Sequence, residues 1–183
     1  NKNFLPETID GFERAIEDLG VKGLRYPGGS IAETEFNIHN PETSLSGRDI
    51  FGLSEYIDWV GSRGADFSFV LPTSHLFLGE PYSKKGDRQF DLSEVNEMRH
   101  FLTDLFSGEF GNISGIMSAI EIGNEYWGEA QLTSKEYGRA VKLLVEMIDE
   151  IGGESNNFEV PRLLVQMGSP FSKEISGSYV KAM

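Results

Sequence analysis

Apolar strand-like runs alternate with amphipathic helical stretches along the 183 residues, and that alternation predicts an α/β fold built on a parallel sheet. Two further observations sharpen the prediction. Strand centres recur about every 45–50 residues, room for a helical crossover each time. Every strand run also stops at a turn rich in Gly, Pro, Ser or Asn, the end of the strand where α/β folds place their chemistry.

The first helix is predicted over Thr8–Leu19, with Ile9, Phe12, Ile16 and Leu19 on one face, Thr8 as its cap and Gly20 as its stop. Val21–Tyr26 reads as a short strand ended by Pro27-Gly28-Gly29. A second helix follows from about Ser54 to Ser62, burying Tyr56, Ile57 and Val60, with Gly64 past its end. Phe67–Leu71 is the next strand, closed by Pro72. The third helix opens on a capping box, Asp91 with Glu94 three residues on, and runs through Met98, Phe101, Leu102 and Leu105 to Gly108. Ser118–Ile122 is a strand, and Gly123-Asn124-Glu125 follows it. Thr133 and Glu136 form a second capping box, whose helix continues through Tyr137, Val141, Leu144 and Ile148 to Gly152-Gly153. Arg162–Gln166 is the last strand, with Gly168-Ser169-Pro170 after it.

Composition removes several function classes. With 16 Lys and Arg against 29 acids the formal charge is −13, so phosphate-rich nucleic acid and anionic membrane surfaces are poor partners. No apolar run approaches the ~18–20 residues of a membrane-spanning helix. Zero cysteines exclude disulfides, thiolate metal sites and Cys nucleophiles. Apolar residues are 39%, and with the 21 glycines they reach roughly half, as in a globular domain. The chain reads as one domain over residues 1–183, and Asn1 in place of Met reads as a processed or excised chain.

The sharpest chemical feature is Asn124-Glu125. Asn124 as a helix cap is the plain alternative, but the next helix has its own start at Thr133. The pair therefore falls in a loop at the carboxyl end of a buried strand, beside Tyr126 and Trp127. A carboxyl held against aromatic rings loses hydration and its pKa rises, which suits a general acid. Tyr26-Pro27-Gly28-Gly29 is either a tight turn or a place where a ligand approaches the backbone. It lacks the spacing of a dinucleotide fingerprint, and no P-loop is present. His75, just past Pro72, is either a hydrogen-bonded structural residue or part of a site. No His, Asp and Glu cluster has metal-ligand spacing, no nucleophile elbow occurs, and no cofactor or metal is expected. The acidic positions Glu146, Asp149 and Glu150 read as solvated helix surface.

Three segments taken together carry a resemblance. Gly23-Leu24-Arg25-Tyr26-Pro27-Gly28-Gly29, Gly64-Ala65-Asp66 leading into Phe67–Leu71, and Ile120-Glu121-Ile122-Gly123-Asn124-Glu125 resemble the retaining glycoside hydrolases of clan A. The likeness is strongest to α-L-arabinofuranosidases, with heparanase-like enzymes and β-xylosidases behind them, and it spans about Gly11 to Pro170. It implies part of a TIM-type (β/α)8 barrel, with the family's strands two to five present. Gly168-Ser169 matches the family's strand-five loop loosely.

By the same resemblance Glu125 is the general acid/base, and Asn124 hydrogen-bonds the sugar 2-hydroxyl. Tyr26, Gly28 and Gly29 shape the floor of the sugar pocket, Arg25 supports the carboxylates from below, and His75 faces the same cleft. Trp127 either stacks on a sugar ring or packs against the barrel top. The departures are as informative. A retaining enzyme needs a second carboxylate about 5–5.5 Å from the first. In the family that Glu ends strand seven; here 183 − 166 = 17 residues follow Gln166, and Glu174 is their only acid. The nucleophile is therefore expected outside this chain, with self-association or a missing segment completing the barrel. The chain is also similar to glycosidase-like modules of bacterial proteins that continue into secreted, calcium-binding repeats, which implies a secreted setting. Two other functions compete: a non-catalytic carbohydrate-binding module, and a doubly wound α/β domain acting in assembly or regulation.

Overall fold

A computed structural model describes residues 11–81, 87–128, 130–154 and 160–167. The elements are α1 (Phe12–Asp18), β1 (Gly23–Tyr26), α2 (Ile31–Thr34), α3 (Leu53–Ser62), β2 (Asp66–Leu71), α4 (Leu92–Ser107), β3 (Met117–Ile122), α5 (Ser134–Glu154) and β4 (Arg162–Val165), with a 3-10 turn at Ser74–Leu76. The four strands form one parallel sheet in the order β1-β2-β3-β4. The α/β class and the parallel sheet are thus as the alternation predicts.

One face of the sheet is covered by helices. Phe67, Phe69 and Leu71 of β2, with Met117, Ile120 and Ile122 of β3, join a single buried cluster with residues of α3, α4 and α5. Ring contacts tie the layers: Tyr56 packs edge-on to Phe67 at 5.4 Å, and Phe69 meets Phe101 at 5.7 Å. The opposite face carries Arg25, Ser68, Val70, Ala119 and Glu121, which stand in register with one another across the strands. Val70 and Ala119 are buried there but lie outside the helix-side cluster.

A bulge makes this division possible. Phe67 pairs with Met117, but Ser68 pairs with Ala119, so Ser118 is an extra residue in β3. Side chains alternate with a period of two, so one extra residue exchanges the faces downstream of it. Met117 and Ile120 therefore both reach the core, and Glu121 falls on the same face as Arg25. The Ser118 hydroxyl fills the gap by donating to the Phe67 carbonyl at 3.1 Å.

The predicted caps form in different degrees. Thr133 and Glu136 satisfy each other: the Glu136 N–H donates to Thr133 Oγ1 at 3.2 Å, and the Thr133 N–H donates to Glu136 Oε2 at 2.9 Å. Asp91 accepts from the N–H groups of Ser93 and Glu94, and Gly108 ends α4 in the left-handed conformation. The other half of that box is absent, because the Asp91 N–H donates to the Leu76 carbonyl and Glu94 pairs with His39 instead. At α3 the cap comes from a distance: Glu42 accepts from the Ser54 N–H and hydroxyl at 3.0 and 2.7 Å. A Cβ at Gly52 would lie 2.2 Å from Glu42 Oε2, so glycine is needed for that approach.

Two predictions are corrected. α1 buries none of its residues, and Leu19 is 78% exposed. The contacts of α1 are with α3 and the residue that ends it, through Phe12 on Trp59 and Glu13 on Arg63. Val21 and Lys22 stay outside β1, whose pairing with β2 begins at Gly23↔Asp66. The expected start of the first helix at Thr8 and the turn Gly168-Ser169-Pro170 lie outside the described residues. No helix among the described residues is long and apolar enough to cross a membrane.

Candidate functional site

The carboxyl ends of β1, β2 and β3 bring together polar side chains that are far apart in sequence. Arg25 leaves β1 on the face opposite the helices and reaches over β2 to β3. Its Nε donates to Glu121 Oε2 at 2.9 Å, its Nη2 stands 2.8 Å from the same oxygen as an ion pair, and Nη2 donates to Asn124 Oδ1 at 3.1 Å. Ser68, on the strand between them, donates to Glu121 Oε1 at 2.6 Å. Burial pushes the Glu121 carboxyl up, but the hydrogen bonds from Arg25 and Ser68 and the charge of Arg25 outweigh it, holding the group below the ordinary Glu range.

Asn124 is buried and held from both sides. Its side-chain oxygen is engaged by Arg25, and its backbone N–H donates to Glu33 Oε1 at 2.9 Å. The turn around it needs two left-handed residues, Gly123 at φ 72° and Glu125 at φ 43°. A Cβ at Gly123 would meet Thr73 Oγ1 at 3.0 Å and Glu33 Oε1 at 3.3 Å, so this position has neither the space nor the φ for a side chain.

Glu125 follows with its side chain exposed, its carbonyl accepting from the Gly128 N–H at 2.6 Å. The sequence places it against Tyr126 and Trp127, but Tyr126 turns into the core and stacks on Tyr137 at 4.2 Å. Trp127 is half-buried, edge-on to Tyr126 at 5.0 Å, and packs against the core cluster. The Tyr137 hydroxyl donates to the Ile122 carbonyl at 2.6 Å and accepts from the Gln166 N–H at 2.9 Å, bridging the ends of β3 and β4.

Of the predicted site residues, Arg25 and Asn124 meet, and Glu125 follows Asn124 in the same turn with its side chain exposed. Tyr26 is on the helix side of β1, stacked on Tyr56 at 4.3 Å, with its hydroxyl donating to the Phe51 carbonyl at 2.6 Å. Burial, reinforced by Glu42 and Tyr56, pushes its phenol well above the ordinary value. Tyr26 thus anchors the Pro27-Gly28-Gly29 turn rather than showing its ring on the face Arg25 occupies. Gly28 is exposed, and the Gly29 carbonyl accepts from the Ala32 N–H to start α2. His75 is exposed on the 3-10 turn and hydrogen-bonds to none of the described residues. A cavity of about 560 Å³ beside β1 is lined by Arg25, Tyr26 and Gly28 with Leu24, Ile31, Phe51 and Trp59, but not by Asn124 or Glu125. No group of three or more His, Asp and Glu among the described residues is arranged to hold a metal ion.

Two residues at the centre escaped sequence reasoning. Glu121 carried a signal, as a charge at the middle of the apolar run Ile120-Glu121-Ile122. Glu33 carried none: in Ala32-Glu33-Thr34-Glu35 it looks like solvated surface, yet it is 2% exposed. Compared with known proteins, the chain matches no family model, no curated protein and no solved structure.

Proposed function

We propose that this chain is part of a retaining glycoside hydrolase of the clan A type, with Glu125 as general acid/base and Asn124 as a ligand of the sugar 2-hydroxyl. The observation that carries the reading is the 3.1 Å hydrogen bond from Arg25 to Asn124. It joins the Arg-Tyr-Pro-Gly-Gly turn to the Asn-Glu pair, the two motifs on which the resemblance rests, across 99 positions of sequence. The winding supports it as well. Strands in sequential order with α3, α4 and α5 on one face suit a sheet curling toward a barrel, whereas doubly wound sheets reverse strand order and carry helices on both faces.

In this role Glu125 gives its proton to the leaving glycosidic oxygen and then takes one from the attacking water. Glu125→Gln in the complete natural polypeptide is the test. Hydrolysis of glycosides with poor leaving groups is expected to fall ~10²-fold or more, and that of activated aryl glycosides much less, because a good leaving group needs no acid. Equal loss on both substrates overturns the assignment.

A second reading, a carbohydrate-binding module without hydrolysis, is favoured by one feature. Glu33 and Glu121, the carboxylates that flank Asn124, are both taken up by hydrogen-bond donors and so are poorly placed to attack a sugar. This reading predicts stabilisation by oligosaccharide, about 2.7 kcal/mol at 100 times the dissociation constant, with no product formed.

A further inference from the structure

We infer that Glu33 is the positioning residue of this site, a buried carboxylate that fixes Asn124 by gathering the loops after β1, β2 and β3. Its role in sugar recognition rests on the glycosidase reading above; its hold on Asn124 does not. Oε1 accepts from the Asn124 N–H at 2.9 Å and the Thr73 hydroxyl at 3.1 Å, while Oε2 accepts from the N–H groups of Thr73 and Ser74, both at 2.8 Å. A carboxylate offers about four lone-pair directions, and all are used. The backbone of the same residue takes part, since the Ser74 hydroxyl donates to the Glu33 carbonyl at 2.8 Å.

The donor set decides what each substitution does. Glutamine keeps one carbonyl oxygen and presents an NH2 group where the other oxygen was. If that group replaced Oε2, it would face two N–H donors that cannot turn. If it replaces Oε1, the Thr73 hydroxyl can rotate to accept from it, and the Asn124 N–H alone loses its partner. Glu33→Gln therefore settles in the second orientation and releases Asn124 selectively. Glu33→Ala releases all three backbone N–H groups.

The experiment is amide hydrogen exchange followed by NMR on the whole chain. In Glu33→Gln the Asn124 amide is expected to lose protection about tenfold or more, the equivalent of one hydrogen bond, while Thr73, Ser74 and the sheet amides of Phe69 and Ile120 keep theirs. Unchanged exchange at Asn124 overturns the proposal; so does uniform loss across the sheet, which marks a purely structural residue. If Glu33→Gln does not fold, Thr73→Val is read instead. It removes the competing donor on Oε1, so Asn124 exchange slows and its amide proton moves downfield, and an unmoved signal overturns the proposal. Isothermal titration with an oligosaccharide panel separates the two readings. Glu33→Gln and Asn124→Ala should each weaken binding about tenfold, and the double variant no further. If no glycoside binds the unaltered chain but Asn124 exchanges as expected, Glu33 stands and the carbohydrate reading falls.

Discussion

Two Arg–Glu pairs do opposite jobs in this molecule. Arg88 and Glu136 meet with side chains 7% and 0% exposed, at 2.8 Å, whereas Arg25 and Glu121 are 35% and 20% exposed at the same distance. At the first pair the groups close on each other and on nearby backbone: Arg88 also donates to the Gln131 carbonyl, and Glu136 also accepts from the Thr133 N–H and hydroxyl. That pair joins the segment before α4 to the start of α5. At the second pair Arg25 divides its donors between Glu121 and Asn124, so part of its hold goes to a side chain in the turn after β3. The same chemistry is architectural when dry and adjustable when half-wet.

Breaking the dry pair is expected to have the largest effect. Glu136→Gln leaves the Arg88 charge buried without its counterion and should cost about 3–5 kcal/mol in urea unfolding. Replacing both partners together, as Arg88→Met with Glu136→Leu, should recover much of that loss, because the desolvated charge is then gone as well. A double variant as unstable as the single one would mean that the Thr133 cap, and not the ion pair, carries the stability.

Acid titration sharpens the comparison next. Burial raises the Glu136 carboxyl, and hydrogen bonds from Arg88 and Thr133 with the charge of Arg88 more than reverse it, leaving it, like Glu121, below the ordinary range. A folded-state value below the unfolded one stabilises the native state above the unfolded pKa, about 4.3 for Glu. That stability disappears as pH falls through the folded value. Unfolding free energy should therefore drop steeply below about pH 4, and both Glu136→Gln and Glu121→Gln should flatten the slope.

Arg25→Ala should cost no more than ~1 kcal/mol of stability, because water already shares its charge. The Asn124 amide loses the donor that orients it, and under the proposed glycosidase reading oligosaccharide binding should weaken about tenfold. Stability falling as far as in Glu136→Gln would show that exposure does not separate the two pairs. At the end of the scale, Arg99 and Glu150 pair at 3.0 Å with side chains 41% and 57% exposed. Arg99→Ala should change the unfolding free energy by only a few tenths of a kcal/mol, about 0.2–1 at most.

How much of this was legible depends on the range of the interaction. The four strands, the helices α3, α4 and α5, the Thr133 box and the Asp91 cap were readable because each is set by residues within a turn or two of one another. Arg25 and Asn124, which the structure brings together, were singled out through the motifs that contain them. Tyr26 was misjudged in direction because a motif names a residue without saying which face of the strand bears it. The Glu94 half of its box failed because a neighbour, His39, and the Leu76 carbonyl competed for its groups.

The sequence by itself determined the alternation of elements, the places where strands stop, and the acidic, cysteine-free character of the chain. Those follow from local periodicity, turn chemistry and counted charge. Only the tertiary structure decided that Ser118 bulges, that Glu121 consequently shares a face with Arg25, and that Glu33 is a buried hub. A bulge depends on the strand next door, and a carboxylate is buried only when donors from distant loops arrive together. Neither condition is written in the residues on either side.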